Sequence, residues 1–217
     1  MRLIANLQTE KRNYKLLGIY LDEHLNFDQH TNQLCKKLAK SLFIINRAKN
    51  FISKKSLKTL YFALIHSHLN YCATLLNGNS QKNKLKIFSY QKKTIRIITK
   101  SKYRDHMAPL FLSENILPYD KLLNYSGLMF MHSVYHKYAP KSFNNMFRPT
   151  IQIENFNLRT DNLKHFNVPF PRTDKFKKSP TYLLSNLWNS MDANKLQPNR
   201  FTFEHYLKNQ LLGVQAV

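Results

Sequence analysis

Apolar residues recur at helical spacing over long stretches of this chain, with short polar connections between them, and that pattern predicts a mainly α fold. The exception comes first: Tyr14 to Leu21 is a short apolar and aromatic run bounded by polar residues, which reads as a β-strand. From Asp28 to about Ala48, Leu34, Leu38, Leu42 and Ile45 fall within an arc of about 80°, and Asp28 is placed to cap the first turn. Lys36, Lys40 and Arg47 line the opposite side, with Phe43 among them. Ser53 starts a second helix, in which Leu57, Tyr61, Leu64, His68, Cys72 and Leu75 share a stripe while Phe62, Leu69 and Leu76 cover another side. Asn77-Gly78-Asn79-Ser80 is a turn, and a third helix follows from about Gln81 to Lys100.

A fourth helical region starts at Pro118, runs through Leu122, Leu123, Leu128 and Met131 toward Tyr138, and stops at Pro140. Beyond Arg148, prolines at 149, 169, 171, 180 and 198 break the pattern, which predicts an extended tail ending in a short helix from about Phe201 to Leu212. The expected order is a strand within 1–27, a three-helix bundle over 28–100, further helices over 101–147 and an irregular tail over 148–217.

Composition agrees: 4 Gly and 8 Pro in 217 residues disfavour a turn-rich β fold, and 43% hydrophobic content suffices for a core. Cys35 and Cys72 have no metal-type spacing and read as packing residues. Met1 to Glu10 holds no signal-peptide run and no segment approaches a membrane span, so an intracellular protein, nuclear or cytoplasmic and without a membrane partner, is expected.

Charge changes the picture more. Between Asp28 and Asp105 there is no acidic residue but 17 Lys and Arg, so most of the formal charge of +22 lies in that third of the chain. Interleaved with helical apolar positions, these cations form a folded basic face rather than a tail, suited to a polyanion such as a phosphate backbone. In the third helix Lys82, Lys86, Ser89, Lys93, Arg96 and Lys100 fall in one arc of about 80°, with Ile87, Ile95 and Ile98 behind. The expected contact residues are therefore Lys82, Lys86, Lys93, Arg96 and Lys100, joined by Lys36, Lys40 and Arg47 of the first helix.

Other candidates carry less. His132 and His136 stand at i, i+4, but no glutamate follows His132 and no third ligand is evident, so neither a metal nor another cofactor is expected. A cluster of Cys35, Cys72 and His68 is not demanded by any spacing; Asp22, Glu23 and Asp28 read as strand-end turn and helix cap. Trp188 reads as the ring that docks the tail. Tyr103-Arg104-Asp105-His106 suits either a nucleic-acid contact or a structural tie.

The order of several short segments resembles the end of a non-LTR retrotransposon reverse transcriptase of the jockey type. They are Tyr14-Lys15-Leu16-Leu17-Gly18, Leu25-Asn26-Phe27 with His30, Tyr61-Phe62-Ala63-Leu64-Ile65, and His68-Leu69-Asn70-Tyr71. Gln91 to Ile98, Tyr103 to His106, Pro109-Leu110-Phe111, Arg172-Thr173, Tyr182 and Leu187-Trp188-Asn189 continue the likeness over nearly the whole chain. The resemblance implies that the strand follows the palm and that 28–100 is a thumb-like bundle gripping RNA, DNA or their hybrid. Polymerases of that family hold two metal ions on an adjacent aspartate pair, which this sequence lacks, so no catalytic residue is expected and catalysis would come from a missing palm and fingers region. Two alternatives stand beside this: a domesticated or degenerate interaction scaffold, and a truncated piece of an active polymerase.

Overall fold

A computed structural model describes residues 14–148, 166–191 and 199–213, which are mainly helical with one small sheet. The expected single strand is a hairpin: β1 (Tyr14–Leu16) pairs antiparallel with β2 (Ile19–Leu21), Tyr14 opposite Leu21 and Leu16 opposite Ile19. Leu17 and Gly18 take φ of 47° and 84°, the two left-handed residues that a tight hairpin turn requires.

α1 (Asp28–Ala48) is not capped by Asp28, because Phe27 holds the N-cap position at φ 56° and Asp28 lies inside the first turn. The entry is fixed by Asp22, whose carboxylate accepts the backbone N–H groups of His24, Asn26 and Phe27 at 3.0, 2.9 and 2.7 Å. Leu34, Leu38 and Ile45 are buried as expected, together with Cys35 and Ser41, while Leu42 is half-buried.

The second helix departs from its expected stripe. α2 (Lys54–Tyr61), capped by Ser53, continues through a π turn over Phe62–His66 into α3 (Ser67–Asn70); Cys72 at φ 53° then breaks the path before α4 (Ala73–Leu76). The buried row is Leu57, Tyr61, Ile65, Leu69 and Ala73, whereas Leu64, His68, Cys72 and Leu75 are half-buried. Residues four apart overshoot a full α turn by about 40°, so a stripe at strict period four drifts off one face unless a wider turn absorbs the excess. The π turn absorbs it.

α5 (Gln81–Thr99) starts at its cap Ser80 and ends at Lys100, which closes it at φ 52°. It runs parallel to α1, and buried polar side chains lock the two at their N-terminal ends. Asn79 donates to Thr31 Oγ1 at 3.1 Å, and Asn83 Nδ2 faces the Asn26 carbonyl and Asp28 Oδ1 at 2.9 and 2.8 Å. Farther along, Gln91 Nε2 reaches the Tyr61 hydroxyl and the Leu117 carbonyl, both at 2.9 Å.

α6 (Met107–Ser113) falls in the further helical region expected over 101–147, ahead of the helix expected from Pro118; Pro109 sits in its first turn, where a missing N–H has no intrahelical partner to lose. Glu114, nearly buried at its end, pairs with Lys54 at 2.5 Å. α7 (Tyr119–Tyr135) joins two cores, burying Leu122 and Leu123 with α1, α2 and α5 and burying Leu128, Met131 and Val134 on the other side. After α8 (Ser142–Met146), α9 (Asp174–Lys177) and α10 (Pro180–Asn189) lie where an extended tail was expected, and the terminal helix expected from about Phe201 to Leu212 is present as α11 (Arg200–Leu212). Trp188, 1% exposed, docks α10 against the rings of Tyr135, Phe166 and Phe203. No helix among the described residues is long and apolar enough to cross a membrane.

Candidate nucleic-acid interface

The parallel pairing of α1 and α5 decides where the cations go. Both helices bury one apolar side in the same core, and Lys86 of α5 reaches Asn32 of α1 across the seam between them, so the polar residues that flank this seam lie on one face. Lys36, Lys40 and Arg47 are exposed along α1, and Lys82, Lys86, Lys93 and Lys100 are exposed along α5. Lys86 sits on the seam, donating to Asn32 Oδ1 at 2.7 Å, and its charge reaches the buried Cys35 thiol, where it opposes the upward push of burial on that pKa. One turn after Asn32, on the same side of α1, comes Lys36. The two basic rows thus lie side by side.

Arg96 departs from expectation, being half-buried rather than solvent-directed, and its Nε is buried with no hydrogen-bond partner. Its guanidinium lies 5.2 Å from the centroid of the Tyr103 ring, which remains 84% exposed. Arg47 covers Phe43 at 5.3 Å and Lys93 covers Tyr90 at 5.6 Å in the same manner. These contacts hold long cationic side chains against the surface and reduce what ordering them on a ligand costs.

Because α1 and α5 end together, an open cleft of about 440 Å³ forms between their C-termini, lined by Lys49, Asn50, Arg96, Ile97, Lys100 and Ser101. Lys49, Asn50 and Ser101 were missed from sequence because nothing in it says that the helices are parallel. The compensating carboxylates are elsewhere: Glu114 pairs with Lys54 and Lys58, Asp174 with Lys177, and Glu204 with Lys208. None of the eight expected contact cations is ion-paired among the described residues.

The chain matches no known family model, no curated protein and no solved structure.

The remaining candidates resolve structurally. His132 stacks on Phe203 at 4.5 Å and meets the tilted ring of His136 at 4.3 Å, and no group of three or more His, Cys, Asp or Glu is placed to hold a metal among the described residues. Cys35 and Cys72 are free thiols. Asp105 ties its own turn by accepting the Lys102 N–H at 2.7 Å, leaving Arg104 exposed. His68 lies off the buried row, its pKa held below the ordinary value by burial and then by Lys37.

Proposed function

We propose that the α1–α5 face binds the phosphate backbone of duplex or hybrid nucleic acid with little sequence preference. The observation that carries this reading is the pair of basic rows on one face, none of whose cations is ion-paired among the described residues, held in register by the buried contacts of Asn79 and Asn83. Like charges four residues apart on a helix repel by a few tenths of about 1 kcal/mol per pair, and a polyanion relieves that repulsion while releasing its counterions. No recognisable base-reading arrangement accompanies the charge, which favours positioning on the backbone over readout of bases.

The same reading places the chain with the thumb and downstream region of a jockey-type reverse transcriptase. Its support is the order of the short matches, two of which meet in space: the Tyr71 hydroxyl donates to the Leu17 carbonyl. On this reading the chain contributes grip, and metal-dependent polymerisation belongs to residues outside it.

The test is the salt dependence of binding to a blunt duplex. Release of about six counterion equivalents gives a log–log slope near −5 for DNA. Replacing the exposed Lys36, Lys82 and Lys93 by Gln should leave the fold intact and reduce the slope by up to about three phosphates' worth. An unchanged affinity and slope in that variant would remove the α1–α5 face from consideration.

A further inference from the structure

Of the 8 prolines in the chain, Pro180 alone follows a hydroxyl-bearing residue, Ser179. The Ser-Pro step closes a basic run, Lys175-Phe176-Lys177-Lys178. Proline-directed serine/threonine kinases select such a step because the pocket after the acceptor offers no partner to a backbone N–H, and proline has none to strand.

Local structure presents the step in a form that a kinase can take. Ser179 stands at φ −66° and ψ 145°, the extended backbone that a residue before proline adopts, and residues 167–173 ahead of it lie outside any helix or strand. Between them α9 is a single turn of four residues, of which Phe176 is half-buried and the other three are exposed. So short a turn unwinds at little cost. Ser179 is itself half-buried, and its hydroxyl accepts the Tyr182 N–H at 3.4 Å, near the long limit of a hydrogen bond, so little holds it in place.

The position of Ser179 would give a phosphate there a consequence. The preceding Lys178 donates its Nζ to Asn26 Oδ1, and its carbonyl packs against Gly78, two residues ahead of the α5 cap Ser80. Ser179 therefore stands beside the N-terminal ends of α1 and α5, where the row that begins with Lys82 starts one turn after Gly78. A phosphoserine carries about −1.5 to −2 charges, and the N–H groups in the first turn of α10 would hold it where it forms.

We propose that Ser179 is a phosphorylation site for a proline-directed serine/threonine kinase, and that its phosphate weakens the hold of the α1–α5 face on a nucleic-acid backbone. The second half rests on the backbone-binding reading and the first does not. In the transfer, Ser179 Oγ bonds to the γ-phosphorus of ATP while the bond from that phosphorus to the β,γ-bridging oxygen breaks; ADP leaves with the electron pair, and the hydroxyl proton passes to a carboxylate of the kinase. The new charge then competes for cations that lie within a Debye length, about 10 Å at 0.1 M salt.

The test incubates the full chain with MgATP and a proline-directed kinase of the cyclin-dependent or mitogen-activated class, and locates uptake by peptide mass spectrometry. One phosphate is expected at Ser179, absent from Ser179→Ala and at least about tenfold slower to appear in Pro180→Ala, in which the residue after the acceptor regains an N–H. Anisotropy with a blunt duplex at about 0.05 M salt should then show about three- to tenfold weaker binding by the phosphorylated chain, with a log–log salt slope smaller by up to about two phosphates' worth. Phosphatase treatment should restore both. No phosphate at Ser179, or equal uptake by Pro180→Ala, overturns the site. Phosphate at Ser179 with unchanged affinity overturns its effect on binding, whereas an unphosphorylated chain that does not bind the duplex overturns the backbone-binding reading while the mass measurement still decides the site.

Discussion

At the scale of single residues, the buried amides matter as much as the exposed lysines. Gln91 is fully buried in α5, and its Nε2 serves both the Tyr61 hydroxyl and the Leu117 carbonyl, tying α5 to α2 and to the approach of α7. Truncation strands two buried polar partners and opens a void, so Gln91→Ala should cost about 2–4 kcal/mol in urea unfolding. Tyr61→Phe leaves Gln91 bound to Leu117 and should cost about 1 kcal/mol. Equal losses would show that the amide is not the hub of this contact. The exposure of Lys36, Lys40, Lys82, Lys86 and Lys93 was legible in the sequence because a lysine on the outer side of a helix needs only helical phase to be placed. Gln91 and Asn83 were not legible, since a polar letter on a wheel reads as surface and their partners lie far along the chain.

At the scale of elements, the first and third helices followed from periodicity because each is a regular α-helix, whereas the second changes phase at Phe62–His66. A wheel of constant pitch cannot show that change. It assigned Leu64 and His68 to the stripe that Ile65 and Leu69 occupy. The region after Arg148 misled differently: its prolines suggested an extended tail, yet Pro180 opens α10 at a position where proline is tolerated. How α9 and α10 dock can be tested at Gly78, where a Cβ would collide with the backbone carbonyl of Lys178. A backbone atom cannot swing aside as a side chain can, so Gly78→Ala should destabilise by about 1–3 kcal/mol. Lys178 also donates to Asn26 Oδ1, so the disturbance should pass along the segment and not across the basic face. Hydrogen exchange should quicken over Asp174–Asn189 while α1 and α5 keep their protection. Faster exchange throughout the bundle would mean that α10 is part of the global core.

At the scale of the whole molecule, an excess of +22 makes the compact state oppose its own charge, and protonation of histidines adds to it. Burial holds the pKa of His30, His66, His68 and His136 below the ordinary value, and Lys37 adds to the effect at His30 and His68 as Lys208 does at His66. The sign follows from linkage. An unfolded histidine titrates near about 6.5, so below that pH the unfolded chain takes up protons that the folded chain resists, and stability falls as pH falls through this window. The urea midpoint should therefore be lower at pH 5.5 than at pH 7.5. Two causes contribute, and salt separates them: general repulsion between exposed charges is screened within about 10 Å at 0.1 M and more strongly above it, whereas the desolvation of a buried imidazole is not. Raising the salt to about 0.5 M should narrow the gap between the two midpoints without closing it. A gap that closes completely would assign the whole pH effect to surface charge and leave the buried His30 and the half-buried His66, His68 and His136 without a part in it.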